Sequence, residues 1–168
     1  QVYEVFRAGG QHIELPLGSK NPVVIYNNIS RLVELIEREN VDLIHARSRA
    51  PGWSAFYAAK RTKRPFITTF HGTYNARNSI KRAYNSVMTR GDRVIAISVF
   101  IAEHVHRLYG VPASRLRTIH RGVDLSRFDP AKVSAERVVQ LANDWRLTDG
   151  HPVIMLPGRL TRWKGQTV

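Results

Sequence analysis

Between Pro22 and Asn40, Ile25, Ile29, Leu32, Val33 and Ile36 recur at intervals of three and four. That spacing predicts a helix with one apolar face and Pro22 in its first turn. Residues 41–45 form a short apolar run after it, as a buried parallel strand would. Residues 53–64 read as a helix ended by Pro65. Residues 66–70 read as a strand, with His71-Gly72 at its exit. A helix over 80–89, a strand over 93–97, a helix over 99–109 closed by Gly110, and a strand over 116–119 complete the series. At the amino end, residues 2–6 and 12–15 look strand-like around Ala8-Gly-Gly-Gln11.

Strands alternating with helices of this length predict an α/β fold, a doubly wound parallel sheet. Beyond the sheet, 135–147 reads as a helix and Asp149-Gly-His151 as a turn. Residues 152–156 form an apolar strand that opens a second lobe. The chain has neither an internal repeat nor a low-complexity stretch.

Composition adds one strong signal. Hydrophobic residues at 43% and charged residues at 23% are ordinary for a globular protein,. No apolar run approaches the roughly 18–20 residues needed to span a bilayer. The absence of cysteine excludes disulfides and thiolate metal sites,. The formal charge is +13, and it is uneven. Between Leu43 and Ala102 the only acid is Asp92, among Arg47, Arg49, Lys60, Arg61, Lys63, Arg64, Arg77, Lys81, Arg82, Arg90 and Arg93. Such a field favours a phosphorylated substrate or an anionic membrane surface. Nucleic acid is disfavoured, because aromatic stacking platforms are not interleaved with the basic residues.

In open α/β sheets ligands bind beyond the carboxyl ends of the strands. Three predicted exits carry polar residues: His45-Ala-Arg-Ser-Arg-Ala-Pro51, Phe70-His-Gly-Thr-Tyr74, and Ile97-Ser98. An imidazole beside guanidiniums and a helix amino terminus would form one polar floor. Farther on, Gly158-Arg-Leu-Thr-Arg-Trp-Lys-Gly165 combines close backbone approach with two cations, as a diphosphate site requires. It lacks the residue order of a Walker P-loop.

The stretch Ile119-His-Arg-Gly-Val-Asp-Leu-Ser-Arg-Phe-Asp-Pro130, preceded by Val94-Ile-Ala-Ile-Ser98 and Tyr109-Gly-Val111, resembles the retaining glycosyltransferases of family 4, with the GT-B fold. The resemblance implies a sugar-transferring enzyme, of which this chain would be a fragment. Residues 1–121 would be a partial acceptor-binding, Rossmann-like lobe, 122–150 a linker and helix, and 151–168 the start of the donor-binding lobe. It puts His71 at the transfer site, holding the sugar or assisting transfer. Gly158, Arg159 and Lys164 would grip the donor diphosphate. Arg47 and Arg49 would face the acceptor, since Ala46-Arg-Ser-Arg-Ala-Pro51 is similar to a loop in bacterial enzymes acting on lipid or cell-surface saccharides, and Thr73 would face it with them.

The family's acidic E-x7-E pair would fall beyond Val168, and a helix would start over 166–168. The implied partners are a nucleotide-sugar donor and a saccharide or lipid-linked acceptor in cell-surface polysaccharide or lipopolysaccharide synthesis. Neither cofactor nor metal is expected. The implied location is cytoplasmic, at the inner face of the membrane, with Lys60, Arg61, Lys63 and Arg64 as contacts and the basic excess concentrated near the acceptor cleft and an adjacent helix. The alternative is a non-catalytic α/β module that binds anions through its basic face.

Overall fold

The computed structural model describes residues 2–148, 150–161 and 164–165. They divide into two compact units, Gln1–Arg121 and Gly122–Val168. In the first, β1 (Ile44–Ala46), β2 (Phe66–Phe70), β3 (Arg93–Ala96) and β4 (Leu116–Thr118) form a sheet in the order β1-β2-β3-β4. Every pairing is parallel. The fold is α/β, a parallel sheet with flanking helices, as the strand–helix alternation predicts.

The element ends follow from local chemistry. Asn21 caps α2 (Pro22–Arg38), its side chain accepting from the Val23 amide at 2.9 Å,. Asn40 turns left-handed after it (φ 49°), and the Val41 amide returns to the Ile36 carbonyl. That turn consumes 41–43, so β1 starts at Ile44 rather than Val41. The next helix, α3 (Arg49–Thr62), begins four residues earlier than expected. Ser48 takes the cap position and Pro51 falls in the first turn, where a missing N–H costs nothing. The predicted helix over 80–89 is α4 (Ser79–Asn85) followed by a tighter 3-10 turn over Ser86–Thr89. Ser98 caps α5 (Val99–Tyr109), and Gly110 closes it at φ 68°.

Two expectations at the ends of the chain fail. Residues 2–6 are not a strand but the helix α1 (Val2–Arg7), and 12–15 are irregular. No described strand pairs with 2–6, so its backbone bonds locally, Ala8 N–H to Glu4 and Gly10 N–H to Val5,. Gly9, at φ 77°, supplies the left-handed stop,. Residues 152–156 are also not a strand, for the same reason: no described segment pairs with them, and Ile154 is 96% exposed. The second unit holds a 3-10 turn at Pro130–Lys132 and α6 (Ala135–Asp144), capped by Ser134. Asp149 and the expected helix start at 166–168 lie outside the described residues.

The core lies under one face of the sheet. Phe66, Phe70, Val94 and Ala96 point to it and meet Ala55, Phe56 and Ala59 of α3, Val87 and Met88 of the 3-10 turn, and Ile101 and Val105 of α5. Asp92, the lone acid of the basic stretch, is a structural clip. Its carboxylate accepts from the Phe66 amide at 2.8 Å, while its own amide donates to the Phe66 carbonyl at 2.6 Å. This pins the start of β3 to the start of β2. The Gly91 beside it has no room for a side chain, since a Cβ there would sit 2.6 Å from the Arg93 carbonyl oxygen.

The β-α-β order also sorts the charges. Each helix between parallel strands begins at a strand's carboxyl end and finishes at the amino end of the next. Arg47, Arg49 and Lys81 therefore lie at the carboxyl edge. Lys60, Arg61, Lys63 and Arg64 end α3 at the opposite edge, and Arg90 and Arg93 stand there too. The basic excess is split between both edges, part beside the strand exits and part at the far end of the adjacent helix α3.

Candidate functional site

The site begins where β2 ends. Phe70 is fully buried against Tyr74 and Tyr109, with ring centroids 5.1 and 6.0 Å apart, and it fixes the chain as it leaves the sheet. The next residue, His71, emerges partly exposed between two arginines, Arg47 after β1 and Arg121 after β4. Arg47 Nε donates to its Nε2 at 3.2 Å, and an Arg121 guanidinium nitrogen lies 3.1 Å from its Nδ1. A neutral imidazole has one lone pair and one N–H, so it can accept from only one of them. The other guanidinium faces an N–H. An acceptor atom from a ligand, such as a phosphate or hydroxyl oxygen, would relieve that mismatch.

Burial, then Arg47, Arg121 and His45, hold the His71 ring below the ordinary imidazole value of 6.5. The ring is therefore neutral at pH 7 and can serve as an acceptor or donor. His45, in the middle of β1 rather than beyond its end, bonds Thr69 Oγ1 at 2.7 Å. It too is lowered, by burial and then by Arg47. For both groups the folded value lies below the unfolded one. Their contribution to stability is thus complete above about pH 6.5 and is lost as pH falls through the lowered values. Thermal melts between pH 7.5 and 5 should show a falling midpoint, and His71→Gln should flatten that fall. An unchanged slope in the variant would remove His71 from the account.

The two predicted acceptor arginines diverge. Arg47 is exposed and turns to His71, whereas Arg49 packs under the loop after β2. Its guanidinium lies 4.4 Å from the Tyr74 ring centroid and donates to Asn85 Oδ1 at 2.9 Å. Asn85, 1% exposed, donates onward to the Asn75 carbonyl. Arg49 thus braces the loop that carries His71 and Thr73. It also lines a cavity of 530 Å³ with Lys20, Ser48, Asn75, Lys81 and Tyr84. Thr73 is exposed on the loop and outside that lining. Ser98 is committed to its cap, accepting from the Ile101 amide at 3.2 Å.

Lys20, Tyr74, Lys81, Asn85 and Arg121 were not foreseen as site residues. A signal existed for Arg121, which adjoins Gly122 in the Ile119–Pro130 stretch. None existed for Lys20 or Asn85, whose places depend on how α2 and α4 dock.

In the second unit, Gly158 and Arg159 lie in irregular backbone. Thr161 Oγ1 donates to the Arg159 carbonyl at 3.4 Å, and the Lys164 amide to the Thr161 carbonyl at 2.9 Å. Gly165 adopts φ 81°, which favours glycine,. Arg162 and Trp163 lie outside the described residues. Among the described residues no group of three or more His, Asp or Glu could hold a metal ion. No described helix is long and apolar enough to cross a membrane.

Residues 4–127 match the family model Glycosyltransferase Family 4. The chain belongs to that family. It is 26% identical over 140 residues to the D-inositol 3-phosphate glycosyltransferase of Xylanimonas cellulosilytica, covering 76% of this chain and 34% of that protein. A counterpart from Catenulispora acidiphila is 25% identical over 141 residues, covering 76% and 32%. The family member described here thus spans about a third of the length of these curated relatives. Among solved structures, a glycosyltransferase from Rickettsia africae is 41% identical and superposes with a TM-score of 0.79, covering 98% of this chain and 43% of that one. HepE of Anabaena, solved with UDP-glucose, is 20% identical with a TM-score of 0.65, covering 83% and 37%. It shares the fold, which is that of the Rossmann-like lobe in GT-B glycosyltransferases.

Proposed function

We propose that residues 1–121 are the acceptor-binding lobe of a retaining glycosyltransferase and that 151–168 begin its donor lobe, with 122–150 linking them. The enzyme would move a hexosyl group from a nucleotide sugar to a saccharide or lipid-linked acceptor. The observation that carries this is the 41% identity to the Rickettsia africae glycosyltransferase across 98% of the chain. In transfer, the anomeric C–O bond to the diphosphate breaks and a bond to the acceptor oxygen forms, while the acceptor hydroxyl proton passes to the departing diphosphate oxygen. Negative charge grows on the leaving diphosphate, where Arg159 and Lys164 would compensate it. His71, neutral and flanked by Arg47 and Arg121, would hold the sugar at the acceptor side. No metal or organic cofactor is needed by this scheme, since cationic side chains neutralise the leaving group.

The relatives named for inositol 3-phosphate support an acceptor that carries a phosphate. A role in cell-surface polysaccharide or lipopolysaccharide synthesis, at the cytoplasmic face of the membrane, fits an acceptor of this kind. Lys60, Arg61, Lys63 and Arg64 would attract anionic lipid, each contributing on the order of 1 kcal/mol near such a surface. Sedimentation with vesicles should then rise with anionic lipid and fall with salt. Indifference to both would remove the membrane from the account.

Thermal melts with a panel of nucleotide sugars test the function itself, using the chain joined to a complete donor lobe. One nucleotide sugar should raise the midpoint more than its free nucleotide does. If none does, the anion-binding alternative gains.

A further inference from the structure

Two cavities of the first unit have Lys20 and Tyr84 in common in their walls. The 530 Å³ cavity is cationic: Lys20, Arg49 and Lys81 line it, together with Ser48 and Asn75. Arg49 gives one of its five N–H donors to Asn85 and has others to offer,. The second, of 400 Å³, lies between α2 and α3 and is walled by Ile25, Tyr26, Ile29, Trp53 and Tyr57. Lys20 and Tyr84 line both. Among the described residues, no acidic one lines either. The Tyr84 hydroxyl oxygen is buried and has no hydrogen-bond partner among the described residues, so the shared wall contains an unused polar group. Tyr26 and Tyr57 remain 61% and 42% exposed, and the Arg61 guanidinium stands 5.9 Å from the Tyr26 ring centroid.

A cationic chamber that shares Lys20 and Tyr84 with an aromatic and aliphatic one fits a ligand whose anionic group adjoins a hydrocarbon chain. We propose that the acceptor is an amphiphile, a phosphate ester of a lipid, with its phosphate among Lys20, Arg49 and Lys81 and its chain between α2 and α3. This rests on the glycosyltransferase reading for the term acceptor, but the binding it predicts needs no donor. Free phosphate would fill the first cavity alone and leave the apolar walls wet. A neutral glycolipid would leave three cations facing no counter-charge. Only the combined ligand satisfies both chambers, and Lys20 and Tyr84 mark where its two halves join.

Isothermal titration of the chain with octyl phosphate, inorganic phosphate and octyl glucoside, each below any micelle concentration, separates these cases. Octyl phosphate should bind at least about tenfold more tightly than either of the others, since it alone engages both chambers. Lys81→Gln should bring it down to the level of octyl glucoside. Tyr57→Ala should bring it down to the level of inorganic phosphate. Both side chains are exposed, so these variants should fold, and circular dichroism would check that. Octyl phosphate binding no tighter than inorganic phosphate, no tighter than octyl glucoside, or not at all would overturn the proposal. So would either variant that binds like the parent. Transfer from a nucleotide sugar to a water-soluble acceptor would survive such a failure, which keeps the two ideas separable.

Discussion

His71→Ala is expected to lower turnover about a hundredfold in an enzyme that joins this chain to a complete donor lobe, while nucleotide affinity stays nearly unchanged. The magnitude follows from losing one preorganised polar contact in a closed cleft, roughly 3 kcal/mol. The selectivity follows from position, because His71 leaves β2 on the first unit and would meet the sugar, not the nucleotide. Arg159→Ala and Lys164→Ala should instead weaken donor binding and rate together, since a diphosphate is held both before and during bond breaking. Separate measurement of nucleotide affinity and turnover distinguishes the two patterns. Full turnover in His71→Ala would make the histidine a structural residue and return the Arg47 and Arg121 contacts to surface packing.

Phe70→Ala should be the most damaging single change to the fold. Phe70 is fully buried, precedes His71, and touches both Tyr74 on the site loop and Tyr109 at the end of α5. Truncating a buried phenylalanine costs about 3–5 kcal/mol, against a typical margin of about 5–15 kcal/mol for a domain. The melting midpoint should fall by roughly 10 °C or more. Phe70→Leu, which keeps most of the volume, should cost far less. Because the ring anchors the turn into His71, the alanine variant should also lose ligand binding at temperatures where it is still folded. A midpoint within about 2 °C of the parent would mean that the β2 exit is held by something else.

The parallel sheet was legible because its strands and helices differ in period. Phe66–Phe70 and Val99–Tyr109 have the bounds the pattern predicts, each closed by a residue with a mechanical reason, Pro65 before the strand and Gly110 after the helix. Residues 2–6 misled because valine, tyrosine and phenylalanine favour strands only when a neighbouring strand is there to pair with. Residues 152–156 misled in the same way. The polar exits were also visible, but not how their side chains divide the work. Arg47 and Arg49 look equivalent in sequence. A helix that starts at Arg49 turns one guanidinium toward Asn85 and leaves the other to His71. Likewise, Asp92 reads as the exception in a basic run. Its clip on the Phe66 backbone exists only once β2 and β3 are side by side.

The most direct test of the account is acceptor-dependent release of nucleoside diphosphate. The enzyme carrying this chain and a complete donor lobe would be incubated with a panel of nucleotide sugars, with and without an octyl phosphate-linked saccharide. One nucleotide sugar should be consumed, faster when the acceptor is present, and His71→Ala should slow that acceptor-dependent rate about a hundredfold. No release from any nucleotide sugar, in a protein that still binds inorganic phosphate, would contradict the account and make this a module that binds anions without transferring sugar.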